Sequence, residues 1–152
     1  MAKTRTLEPE EWALWHTWMR AQRLLARELD RDLQREHAIS KAEFSVLVTL
    51  RQTPAGPMRV SALVDSLGWE KSRVSHQLTR MESRGLVERA DGEPGGRRVS
   101  IALTDTGRRT VDSAIVSHGA NIRRHFFDPA TAEQAAAIRA WSEATVAQLE
   151  LG

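Results

Sequence analysis

Apolar residues recur at three-and-four spacing over most of the chain and alternate in one short stretch only, so the pattern predicts a mainly helical protein with a small β-element. One long helix is expected from about Pro9 to His37, with Leu14, Trp18, Ala21, Leu25 and Leu29 in a stripe that Trp12, Trp15 and Met19 widen on an adjoining face. Its end, from Glu28 to Glu36, is charged at i,i+4 spacing and reads as partly solvated. SKAEFSVLVTL opens with Ser40 and Glu43 at capping-box spacing and offers Phe44, Leu47 and Val48 to a core, and RQTPAGP stops that helix near Gln52. A short helix follows from Val60, with Ser61 as the expected cap, Leu63, Val64 and Leu67 inward, and Gly68 as its end.

In WEKSRVSHQLTRMESRGLVER, residues 69–89, Val74, Leu78 and Met81 hold a helix to the core while polar and basic residues fall largely on the other side. A short helix, a glycine turn and a helix that is basic outward have the form of a helix-turn-helix. Leu86 and Val87 then begin one strand, and Val99, Ile101 and Leu103 alternate with Ser100 and Ala102 in another. DGEPGG between them reads as a hairpin tip, with Arg97 and Arg98 on the return. A helix-turn-helix followed by a basic hairpin is a winged helix. Thr104 caps a further helix whose apolar line runs from Val111 to about Phe127. Asp128 and Pro129 are expected to stop it and start the last helix, which carries Ala137, Ile138, Trp141, Ala144 and Leu149 on one face.

Charge sharpens this picture. The net formal charge is only +2, but residues 69–109 hold nine Lys/Arg against six Asp/Glu, whereas residues 110–152 hold three against five. A basic centre between less basic ends suits a phosphate-facing middle. Phosphate neutralisation is expected from Lys71, Arg73, Arg80, Arg84, Arg97 and Arg98, and hydrogen bonds to base edges or phosphates from Ser72, Ser75, His76 and Gln77. Trp69, just before the basic helix, is expected to wedge it in place.

Other chemistry is poorly represented. With no cysteine, disulfides, thiolate metal sites and cysteine nucleophiles are excluded. His118 and His125 lie seven apart and form no compact metal motif, so neither metal nor cofactor is expected. There is no phosphate loop, no HExxH and no spacing that singles out a nucleophile and base, which argues against an enzyme. No apolar run approaches the length of a membrane span and no signal peptide is legible, so a cytoplasmic protein is expected. Trp12, Trp15 and Trp18 span almost two turns of the first helix. Burial against a second subunit accounts for them best, with an aromatic-lined ligand pocket as the alternative.

Taken together, ELDRDLQREHAISKAEFSVLVTL, VSALVDSLGWEKSRVSHQLTRMESRGLVER and RRVSIALTDTG resemble the MarR family of bacterial transcriptional regulators over nearly the whole chain, most specifically in LTRMESRGLVER and ALTDTG. The resemblance implies one domain over residues 1–152, with a winged helix-turn-helix lobe at 38–106 flanked by dimerisation helices at 9–37 and 107–151. It implies a homodimer that reads a pseudo-palindromic operator in double-stranded DNA through Lys71 to Arg84. The family's early wing arginine is missing from ADGEPGGRR, which leaves Arg97, and after it Arg98, to make the wing contact. Family effectors are commonly small aromatic or amphipathic compounds, and on that analogy Trp12, Trp15, His16, Met19, Phe44, Leu47, Arg59 and His118 are candidate lining residues. The resulting expectation is a repressor released by such an effector. An architectural DNA-binding protein without a ligand, and an interaction module with a degenerate wing, are the competing readings.

Overall fold

The computed structural model describes residues 6–53, 56–90 and 99–152. Among these residues, six α-helices and three short strands follow one another: α1 Pro9–His37, α2 Lys41–Gln52, β1 Met58–Arg59, α3 Val60–Leu67, α4 Lys71–Ser83, β2 Val87–Ala90, β3 Ser100–Leu103, α5 Asp105–Ile122 and α6 Ala132–Glu150. They fall into two compact units, Leu29–His118 and a second one made of the two chain ends, up to Glu28 and from Gly119 onward. The division cuts inside α1 and α5 and not at their ends, so each of these helices contributes to both units.

The central unit forms around Leu33, Val46, Leu47, Leu63, Leu78 and Ile101, all buried. Its helix ends follow local chemistry. At the start of α2 the Ser40 hydroxyl accepts from the Glu43 N–H, and Glu43 Oε1 accepts from the Ser40 N–H, both at 3.1 Å. α3 ends at Gly68, whose φ of +63° is easily reached without a Cβ and whose N–H donates to the Val64 carbonyl. The expected Ser61 cap is not formed: α3 begins at Val60 with Arg59, two residues before Ser61, at the cap position and no side-chain hydrogen bond. The reason is tertiary, because β1 pairs with β3 and delivers the chain into α3 directly from a strand.

RGL at 84–86 closes α4 with a Schellman turn. The Gly85 N–H donates to the Glu82 carbonyl at 2.9 Å, and the Leu86 N–H donates to that of Met81 at 3.0 Å. Buried Met81 and Leu86 supply the apolar contact that accompanies such turns. β2 and β3 then pair antiparallel, Val87 opposite Leu103 and Ala90 opposite Ser100, as the alternation predicts. The two residues of β1 add a third strand beside β3, in register Met58 to Ile101. The tip of the hairpin, with Asp91, Glu93, Arg97 and Arg98, lies outside the described residues.

Thr104 caps α5 as expected: its hydroxyl accepts from the Gly107 N–H at 3.0 Å and donates to the Gly85 carbonyl at 2.6 Å. In the unit of chain ends, Arg123–Phe127 form a π-helical turn and the Asp128 N–H donates to the Arg123 carbonyl. Asp128 therefore ends one helix and does not cap the next. Thr131 and Gln134 make a reciprocal capping box at the start of α6, three residues beyond the expected position. Trp18 and Trp141 meet edge to face, 5.6 Å between ring centres, beside an apolar groove of about 490 Å³ that Leu14, Trp15 and Ile138 also line. Leu14, Trp15, Trp141 and Leu149 remain exposed on this unit.

Candidate nucleic-acid interface

α4 is the helix that the basic stretch predicts. Val74, Gln77, Leu78 and Met81 are its buried residues, spaced i, i+3, i+4 and i+7. Lys71, Ser72, Arg73, Ser75, His76 and Arg80 lie on its exposed side. Gln77 departs from expectation. It shares the inward stripe, is 5% exposed, and its Oε1 accepts from Arg80 Nη2 at 2.8 Å, so it steadies Arg80 instead of facing outward.

Arg84 departs further. Its guanidinium pairs with Oε2 of the buried Glu43 and donates to the Ala38 carbonyl at 2.5 Å. It thereby ties the end of α4 to the start of α2 and to the left-handed residue, φ +55°, that follows α1. Neither Lys71 nor Arg73 is joined to a carboxylate among the described ion pairs.

Their position is informative because the first turn of α4 contains no acidic residue and two cations, the reverse of what the helix dipole favours. Arg73 folds back so that its guanidinium carbon lies 4.1 Å from the centre of the Trp69 ring. Trp69, half-buried, packs against the core, which accords with its expected wedge role. Two arginines that the sequence did not assign to the DNA face lie close by, Arg59, expected in an effector pocket, and Arg89, not singled out at all. Arg59 on β1 and Arg89 on β2 line a 450 Å³ depression together with Lys71, Ser75 and Val99. Arg89 is held by Glu82 at 3.2 Å and by the Thr79 hydroxyl at 3.2 Å. Their grouping follows from the strand pairings, which no local pattern reveals.

The candidate effector residues are divided between the two units. Trp12, Trp15, His16 and Met19 belong to the unit of chain ends, where Trp12 stacks on His16 with ring centres 5.5 Å apart and Trp15 lines the apolar groove. Phe44, Leu47, Arg59 and His118 belong to the central unit. Phe44 and His118 come together, with ring centres at 4.7 Å, but Leu47 is wholly buried in the core and Arg59 lines the basic depression. Among the described residues, no group of three or more acidic, histidine or cysteine side chains is arranged to hold a metal ion, and no helix is long and apolar enough to cross a membrane.

His118 Nδ1 is buried without a hydrogen-bond partner among the described residues. Burial lowers the pKa of this imidazole below its usual value, Lys41 lowers it further, and Asp32 opposes the shift. As pH falls below about 6.5, the unfolded chain takes up this proton before the folded one does, so the folded state loses stability until the pH lies below the folded pKa as well. Melting temperature is therefore expected to decline less between about pH 7.5 and about pH 5 in His118→Phe than in the wild type. Equal declines would show that another group carries the loss.

A three-stranded wing behind a helix-turn-helix whose second helix is basic outward defines a nucleic-acid-reading winged helix. The comparisons with known proteins agree. The MarR family model matches residues 39–99. The HTH-type transcriptional regulator PecS of Dickeya dadantii (strain 3937) is 30% identical over 136 residues, 88% of this chain and 80% of its own. Two solved structures from Streptomyces coelicolor superpose with TM-scores of 0.83. One is AbsC, a MarR family transcriptional regulator, 32% identical and covering 98% of this chain and 100% of that one. The other is Sco3205, a MarR family regulator in complex with DNA, 29% identical and covering 96% and 91%. The chain belongs to the MarR family and is a DNA-binding transcriptional regulator, not an enzyme.

Proposed function

We propose that this protein is a homodimeric repressor that occupies a pseudo-palindromic operator through α4 and is released by a small aromatic or amphipathic effector. The observation that carries the DNA-facing part is the exposed side of α4, where Lys71, Ser72, Arg73, Ser75 and His76 stand together and two cations oppose the helix dipole. Such a placement is unfavourable to the helix dipole, Glu70 at the N-cap offsets part of that cost, and a bound polyanion would offset more. Sco3205, 29% identical, has been seen bound to DNA, which supports the same use here. Dimerisation is supported by the exposed Leu14, Trp15 and Trp141, which line one apolar groove, and by the exposed Leu149 on α6. The effector reading is supported by the paired Phe44 and His118 rings and by the aromatic groove beside Trp15, Trp18 and Trp141.

Selection of short duplexes from a random library, followed by a salt titration on the enriched site, tests the proposal. A two-fold-symmetric site is expected. Lys71→Ala should weaken all sequences alike and lower the slope of log K against log salt by about 0.9 per subunit. Binding with no enriched sequence would indicate an architectural role. A mass that remains monomeric across the concentration range would overturn the dimer, and an aromatic-compound screen that leaves operator affinity unchanged would overturn the effector.

A further inference from the structure

Trp69 and Arg73 are four residues apart, and the stack they make leaves the arginine in an unusual condition. The indole packs against the core, so its position is set by the fold. The guanidinium lies over its face at 4.1 Å, with no ion-pair partner among the described carboxylates. A salt bridge would consume the N–H groups along one edge of the guanidinium. A ring under its face consumes none, and it limits the rotamers available to a long side chain. Helical side chains lean toward the N-terminus, and Trp69 stands two residues before α4, where Arg73 can reach it. The first turn of a recognition helix is also the part that reaches base edges.

We propose that Trp69 is a positioning residue for DNA reading: it holds the Arg73 guanidinium over the indole, unpaired with any described carboxylate, so that its N–H groups can meet a pair of acceptors on the duplex. Those acceptors are either O6 and N7 of a guanine or two phosphate oxygens, which share the same donor chemistry. The role rests on the DNA-reading function of α4 and adds to it a residue that need not touch DNA. Arg80, by contrast, is steadied by Gln77 and Arg84 is held by Glu43, so the helix fixes three arginines by three different means.

The test is a double-mutant cycle on the selected operator, combining Trp69→Leu or Trp69→Phe with Arg73→Ala. Arg73→Ala is expected to weaken binding by about 10- to 100-fold. Trp69→Leu should weaken it by about 3- to 10-fold when Arg73 is present and by less than about twofold when it is absent, with Trp69→Phe in between. Equal losses in both backgrounds would make Trp69 a general structural residue and overturn the positioning role. A wild type with no saturable site would instead overturn the DNA reading beneath it.

Two readouts identify the acceptor. Loss of preference at one base pair in Arg73→Ala, with little recovery in Arg73→Lys, assigns a guanine. A slope against salt that falls by about 0.9 per subunit with unchanged preference, and recovery in Arg73→Lys, assigns phosphate. Should Trp69→Leu fail to fold, the resonance of the Arg73 side-chain N–H in DNA-free protein decides the matter. An upfield ring-current shift that diminishes in Trp69→Phe is expected, and an unshifted wild-type resonance would overturn the stack.

Discussion

Gly107→Ala is expected to destabilise the protein by at least about 3 kcal/mol, a large part of the 5 to 15 kcal/mol that holds a typical domain together. A Cβ at this position would lie 1.9 Å from the Leu86 carbonyl oxygen and 2.9 Å from its carbon. Those are backbone atoms at the entry to β2, so no side chain can swing away to relieve the overlap. They are also engaged, because the Leu86 carbonyl accepts from the Thr104 N–H at 3.2 Å. Moving α5 outward to make room would break that bond and the 2.6 Å bond from the Thr104 hydroxyl to Gly85. Urea unfolding at fixed protein concentration measures the loss. Gly119→Ala is the control on the same helix: its Cβ meets nothing within 4 Å, and a gain of up to about 1 kcal/mol is expected from the better helix former. A Gly107→Ala protein as stable as the wild type would show that α5 does not sit this close to the wing.

The second large effect is expected at Arg84. Removing it leaves Oε2 of Glu43 without its partner at a side chain only 11% exposed, while Oε1 continues to serve the Ser40 N–H. Arg84 itself is 41% exposed, so solvent screens part of the interaction. The expected loss for Arg84→Ala is about 2 kcal/mol, in the range for hydrogen bonds to charged groups. Glu43→Gln should cost less, and the double variant should fall short of the sum of the two. The salt dependence of operator binding distinguishes this tie from a phosphate contact. A slope unchanged in Arg84→Ala fits the tie, whereas a fall of about 0.9 per subunit would return Arg84 to the DNA-contacting set.

The helices were legible because their causes are local. Three-and-four spacing marks an inward stripe, and Ser40 with Glu43 or Arg84-Gly85-Leu86 close helix ends by bonds that span a few residues. The cap of the last helix was equally local, in Thr131 and Gln134, but Asp128 and Pro129 offered a competing stop that the π-helical turn overrode. Gln77 shows how a residue type can mislead where spacing does not. Its amide suggested base recognition, while its place three residues after Val74 put it inside.

By itself, then, the sequence determined the order and periodicity of the helices, the alternation of the wing, the family and the basic face of one helix, all properties of neighbouring residues. Only the tertiary structure decided which cations of that face are free. Arg84 meets Glu43 across forty-one positions, β1 joins β3 to bring Arg59 toward Lys71 and Arg89, and Gly107 matters because Leu86 lies against it. A charge has the same letter whether it faces solvent or a buried carboxylate. Which of the two it meets is set by packing between segments far apart in the chain, where burial removes water as the competing partner.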